Sequence, residues 1–194
     1  MEKTENAVRS RLLEAGMEEF RDRGFLKASL RAICKKADVT TGALYFFFES
    51  KSALFEEIVE ETVEKLKEIT GDFSNQEIQL QPEENDRILM EFIWENRDIA
   101  RILIDGAEGT RYDNFREDTC TKMEQFLQEN FREKCGKEAD GDLVHILAET
   151  KLQGYSELLR GDYSREKFLE IFRMLKICSS QSFLAVAAEI NRNQ

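Results

Sequence analysis

Apolar and charged positions recur along the chain with the period of a helix, and the breaks in that period divide the sequence into segments. From Thr4 to Arg23, Val8, Leu12, Leu13, Met17 and Phe20 form one apolar stripe, and Gly24 is a natural left-handed cap onto which Phe25 can fold back. Ser29 is suited to cap a short second helix with Leu30, Ile33, Cys34 and Ala37 on its inner face. Asp38 falls where the chain must turn, and aspartate tolerates left-handed backbone better than most residues. Thr40 opens a third helix through Gly42, Ala43, Leu44 and Tyr45 to about Phe47. A fourth, long helix follows from Lys51 to Thr70, with Leu54, Phe55, Ile58, Val59, Val63 and Leu66 on one side and Gly71 at its end. Residues 72–83 are polar, hold the only proline and read as a linker or mobile loop. Helical periodicity resumes over 84–95, 98–107, 112–135, 142–160 and 164–190; Gly161 and Asp162, followed by Ser164 as a cap, set the last two as an antiparallel pair. The pattern predicts an all-α chain of about nine helices, with no repeat and no strand.

Composition adds limits. One proline and ten glycines in 194 residues favour long helices, and a hydrophobic fraction of 41% supports a core. No run approaches the roughly 18 uncharged apolar residues of a membrane span, and the charged start MEKTENAVRSR lacks the apolar centre of a secretory signal. A cytoplasmic location is expected. Cys34, Cys120, Cys135 and Cys178 are widely spaced and His145 is the only histidine, so we expect packed, reduced thiols and neither a metal site nor a cofactor.

Net charge is −11, which argues against a polyanionic partner until its distribution is considered. Residues 1–55 hold ten Lys/Arg and eight Asp/Glu, or +2, leaving 18 basic and 31 acidic residues, or −13, for the rest. A mildly basic head on an acidic body presents the head to a polyanion.

The segment from Ser29 to Phe48, SLRAICKKADVTTGALYFFF, has the form of a helix-turn-helix: two short helices, the second rich in small residues at its start. Such a second helix enters the major groove by its N-terminus, where bulk would hold the backbone away from the bases. Thr40, Thr41, Gly42 and Ala43 are small, and Ile33, Ala37, Val39 and Leu44 supply an apolar rear face. From Phe20 to Phe55 the run "F…GF…SLRAI…ADVTTGALYFFFESKSALF" resembles the N-terminal domain of the tetracycline-repressor (TetR) family. The resemblance implies a three-helix DNA-binding head at 1–50 and a ligand-binding and dimerisation body at 51–194, with 51–70 as connecting helix. It implies a homodimer through the last two helices and a small-molecule effector. It assigns phosphate contacts to Ser29, Tyr45 and Lys51, base- or backbone-facing positions to Thr40, Thr41, Gly42 and Ala43, and a base-edge contact to Arg31. Lys27, Lys35 and Lys36 add phosphate attraction. Two positions depart from the family pattern: Asp38 stands where glycine is usual, and Phe46-Phe47 replaces a more polar pair.

The body is rich in aromatics, as an apolar effector pocket requires. Candidate lining residues are Phe92, Leu103, Tyr112, Phe115, Met123, Phe126, Glu149, Gln153 and Tyr155, with Glu149 suited to a cationic ligand. The faces around Leu143, Ile146, Leu147, Leu152, Leu158 and Leu159, then Phe168, Ile171, Phe172, Leu175, Cys178, Phe183, Val186 and Ile190, exceed what one helix pair can bury. A symmetric seam would hide the excess and place two heads about 34–36 Å apart on a near-palindromic operator. Segment 106–109, GAEG, lacks the strand and spacing of a phosphate-binding loop. An enzyme would need a nucleophile–base pair or metal cluster that this pattern does not show. The expected function is a ligand-responsive transcriptional regulator, a repressor released by its ligand; the alternative is an interaction protein whose head has lost DNA binding.

Overall fold

The computed structural model describes residues 2–71 and 84–192, and the described residues contain helices and no strand. In chain order the helices are α1 (Glu2–Lys27), α2 (Leu30–Lys36), α3 (Thr41–Phe47), α4 (Lys51–Gly71), α5 (Glu84–Glu95), α6 (Arg97–Asp105), α7 (Phe115–Cys135), α8 (Gly141–Arg160) and α9 (Arg165–Arg192). The linker expected at 72–83 lies outside the described residues. The helix expected from 112 starts at Phe115, because 107–114 is a chain of turns: Thr110 N donates to Ala107 O, Asp113 N to Thr110 O and Phe115 N to Tyr112 O.

Packing gathers the described chain into two units. Of the described residues, the first takes in 2–65 and 98–116, and the second 66–71, 84–97 and 117–192. A division at 50/51 follows the sequence motif; the packing instead places the first turns of α4, most of α6 and the following turns with the head.

In the first unit Leu12, Phe20, Ile33, Leu44, Phe48, Leu54, Phe55, Ile102 and Leu103 are all but inaccessible to solvent. Phe20, Phe25 and Phe55 form an aromatic centre, Phe55 meeting the other two edge-on at 5.1 and 5.3 Å, a geometry suited to ring quadrupoles. The α1 helix breaks at Gly24, whose φ of 69° and ψ of 165° are open to glycine but costly for other residues. There Phe25 N donates to Gly106 O at 2.8 Å. A methyl group on Gly106 would stand 3.1 Å from the Gly24 Cα and 3.3 Å from Ile102 O. The GAEG glycine is therefore a backbone-to-backbone crossing point.

In the second unit α9 packs against α8 and α5. Met90, Leu158, Phe168 and Phe172 form one buried cluster, with Trp94 5.2 Å from Phe168 and Tyr155 stacked on Phe172 at 4.6 Å. Phe131 and Phe183 form another contact at 4.5 Å. Asp140 caps α8 by accepting from Leu143 N at 3.0 Å. Cys34, Cys120 and Cys135 are buried free thiols, and Cys178 is exposed.

Candidate nucleic-acid interface and body cavity

The helix-turn-helix is α2, a turn and α3. Ser29 caps α2, its hydroxyl accepting from Ala32 N at 3.5 Å, and Thr40 caps α3, accepting from Ala43 N at 3.1 Å. Between them Asp38 takes φ 53°, the left-handed turn the sequence called for, and Val39 N donates to Cys34 O at 3.0 Å. Ile33, Cys34, Ala37 and Leu44 are buried as the rear face. Buried on one side and capped at both starts, α3 turns its other side outward. Thr41 and Gly42 are exposed, Ala43 is half-buried, Tyr45 is 53% exposed and Phe46 is 73% exposed. Arg31 on α2 is exposed, as are Lys27 and Lys35. Lys36 is exposed as well and pairs with Glu18 and Glu19, each at 3.5 Å.

Two residues position this surface in ways not apparent from the sequence. Glu19 is a buried carboxylate on α1 that accepts from Ser29 N at 3.3 Å and pairs with Arg23 at 3.4 Å and with Lys36. It thereby ties the start and end of α2 to α1. Nothing in its spacing separates Glu19 from the solvent-facing Glu18 beside it; only the approach of Ser29 does. The second is Lys51. Its ammonium donates to three backbone oxygens, Phe25 O at 2.7 Å, Leu26 O at 3.3 Å and Ala28 O at 3.3 Å, and lies 4.4 Å from the Phe25 ring centroid. An ammonium has three N–H donors, and all three are engaged here. These contacts pin the start of α4 to the carbonyl end of α1.

The nine expected effector residues are not brought together. Leu103 is buried in the first unit's core, with Tyr112 and Phe115 packed on it, because α6 and the turns after it belong to that unit. Gln153 is exposed and donates to Glu157 at 2.8 Å. Glu149 lies on α8 with its charge acting on the Cys120 thiol. Phe92 and Met123 are half-buried on α5 and α7. Phe126 and Tyr155 do line a shared cavity of about 140 Å³ in the second unit, with Leu147, Lys151, Leu175 and Phe183. The Lys151 ammonium lies 5.9 Å from the Phe126 ring centroid. Burial, reinforced by Lys176, lowers its pKa to about 8. Burial, with Asp86 adding to it, pushes the Tyr155 phenol above its ordinary range. Lys176 itself is paired to Asp86 at 2.8 Å. The pairing of α7 with α8 also gathers Cys120, Glu124 and His145, whose ligand atoms all lie within 4.8 Å of one another. The expectation that the scattered cysteines and single histidine form no such group took no account of residues from two helices converging.

Comparison with known proteins places this surface. The family described as "Bacterial regulatory proteins, tetR family" matches residues 12–58. The HTH-type transcriptional regulator UidR of Escherichia coli K12 is 44% identical over 52 residues, 27% of this chain and 26% of UidR. The Bacillus subtilis regulator YdgC is 39% identical over 62 residues, 32% of each chain. The chain thus spans about a quarter to a third of the length of these curated relatives. A transcriptional regulator of the TerR/AcrR family from Aquifex aeolicus superposes with a TM-score of 0.56 at 24% identity, covering 86% of this chain and 96% of its own. A TetR family regulator from Chloroflexus aurantiacus gives 0.58 at 15% identity, covering 96% and 92%. The structural likeness extends the shared fold over the body, where the sequence match has ended. Residues 12–58, which hold the helix-turn-helix, thus match the family of bacterial regulatory proteins described as tetR.

Proposed function

We propose that the chain is a homodimeric, ligand-responsive transcriptional regulator, with residues 1–50 reading DNA and residues 51–194 sensing and dimerising. The observation that carries this reading is the outward side of α3, where Thr41, Gly42, Tyr45 and Phe46 stand exposed on a helix fixed from behind. Small residues at its start admit the backbone to the major groove, and Tyr45 offers a hydroxyl to phosphate. Arg31 supplies a base-edge donor, the commonest specific partner of guanine. Ser29, Thr40 and Ala43 hold the helix starts, and Lys51 holds the angle of α4.

Dimerisation is supported by α8 and α9. Ile146 is 60% exposed and Met174 49% exposed. By length and composition α9 is apolar enough to cross a membrane, yet only 22% of its most apolar window is buried within the chain, and Arg173 and Lys176 interrupt it. A seam against a second copy accounts for that surface and suits a protein acting on cytoplasmic DNA.

The effector site we propose is the Phe126–Tyr155 cavity. An apolar cavity of about 150 Å³ holds benzene, so about 140 Å³ takes a compact ring or short chain. Lys151 favours an anionic group on it. Effector binding and operator binding would each select a different spacing of the heads, with a coupling of about 1–3 kcal/mol giving a roughly 5–150-fold change in operator affinity. Repression relieved by ligand is the expected direction.

Fluorescence anisotropy tests the reading, using the DNA upstream of the chain's own gene, a scrambled duplex and two salt concentrations. Specific binding as a dimer is expected, with Arg31→Ala costing about 1–3 kcal/mol and relaxing specificity at one position. Equal, weak affinity for the upstream duplex, the scrambled duplex and genomic fragments recovered by selection would leave Asp38 and the acidic body as marks of an interaction protein. Lys51→Met should leave the salt slope unchanged, whereas loss of a phosphate contact lowers it by about one unit.

A further inference from the structure

We propose that Cys120, Glu124, His145 and Glu149 form a binding site for a divalent transition metal of the zinc type, held between α7 and α8. The four residues form two pairs at i and i+4, Cys120 and Glu124 on α7 and His145 and Glu149 on α8. Residues four apart share one helix face, and facing pairs from neighbouring helices are how metal sites are built inside helical bundles.

Glu124 is the centre of the group. Its Oε1 accepts from the Cys120 thiol at 3.6 Å and lies 2.7 Å from His145 Nδ1. Glu149, one turn beyond His145 on α8, adds its negative charge near the Cys120 thiol. Tetrahedral coordination at bond lengths of about 2.0–2.3 Å puts neighbouring ligand atoms about 3.3–3.6 Å apart. The thiol–carboxylate separation already has that value. The carboxylate–imidazole separation must open by roughly half an ångström, and the remaining sulfur–nitrogen gap, at most 4.8 Å, must close by about 1 Å. Side-chain rotation on fixed helices covers such shifts. Thiolate, imidazole and carboxylate together suit zinc better than magnesium or calcium, which take oxygen ligands alone.

Proton balance agrees with this assignment. Burial above all, with both carboxylates adding to it, pushes the Cys120 thiol up to about 12, so it keeps its proton at neutral pH. The Glu124 hydrogen bond raises the pKa of His145, with Glu149 and Asp142 adding to it. A bound dication would displace the thiol proton, and the imidazole's extra proton where it is carried, to solvent and bind thiolate and neutral imidazole. Access is also suitable: Cys120 is buried at the floor, while the His145 side chain is 60% exposed at the mouth.

Cobalt(II) tests the site, because a cobalt–thiolate bond absorbs by charge transfer where the free ion does not. Titrating the full chain should give that band at one cobalt per chain, with zinc displacing it. Cys120→Ser should abolish the band, His145→Ala should weaken cobalt binding by about tenfold or more, and Cys178→Ser should leave both unchanged. No charge-transfer band in the parent chain overturns the proposal, as does a band that survives Cys120→Ser. If Cys120→Ser does not fold, as judged by circular dichroism, the exposed His145→Ala variant decides, and undiminished cobalt affinity there rejects the site. The readout involves no DNA, so its failure and that of the regulator reading are distinguishable.

Discussion

At the scale of single residues, the head is held by contacts that pattern alone does not disclose. The Gly24–Gly106 crossing leaves no room for a side chain, and the opposing atoms are backbone. Gly106→Ala should therefore cost about 1–3 kcal/mol, measured by chemical denaturation; a change below half a kilocalorie would mean the chain separates there easily. Lys51→Met keeps an aliphatic stem against Phe25 but removes three donors to carbonyls, and a loss of about 1.5–3 kcal/mol is expected from the same measurement. The sequence read correctly that Gly24 and Asp38 would take positive φ, because few other residues tolerate it and the helical period stops there. The carbonyl contacts of Lys51 were not legible, because a lysine at a helix start looks the same whether it faces a phosphate or three carbonyls. Glu19 was hidden for a related reason: its acceptor role depends on a residue ten positions away.

At the scale of elements, helix boundaries were legible to within a few residues wherever a capping residue met a change in periodicity, as at Ser29, Thr40 and Gly161. Partners of helices were not, since an apolar face does not name what covers it. For that reason the sequence does not show that Leu103, Tyr112 and Phe115 pack in the core with α1 and α4, or that Cys120 and His145 meet. Two outcomes belong to this level. Asp38→Gly relieves the left-handed turn and removes an acid from the side proposed to face DNA; on that proposal operator affinity should rise, with stability changing by about 1 kcal/mol or less because glycine also loosens the unfolded chain. On α8, Glu124 raises the pKa of His145, so the folded state holds that proton more tightly than the unfolded chain. The resulting stabilisation is complete below the ordinary histidine pKa of about 6.5 and disappears as pH rises through the raised value. Thermal melts of metal-free His145→Gln should accordingly lose part of the parent's decline in Tm above that pH.

For the whole molecule, the exposed apolar residues of α8 and α9 make association the testable property. Met174→Glu and Ile146→Asp should shift the chain toward monomer in sedimentation velocity and weaken operator binding with it, while leaving helix content intact; persistent dimers in both variants would place the seam elsewhere. The division of the chain into packed units has another bearing, on how such regulators diversify. The family match covers 12–58, a stretch that recombination could transplant as one continuous cassette. The head's packing unit is discontinuous, however: it includes 98–116 and closes on itself where Phe25 meets Gly106. A transplanted 1–65 segment would arrive without that cover, its aromatic centre open to water, unless the recipient supplied a matching helix and a glycine at the crossing. Exchange of heads between relatives is therefore constrained by a short segment outside the family match, and a chimera engineer should carry both pieces or neither.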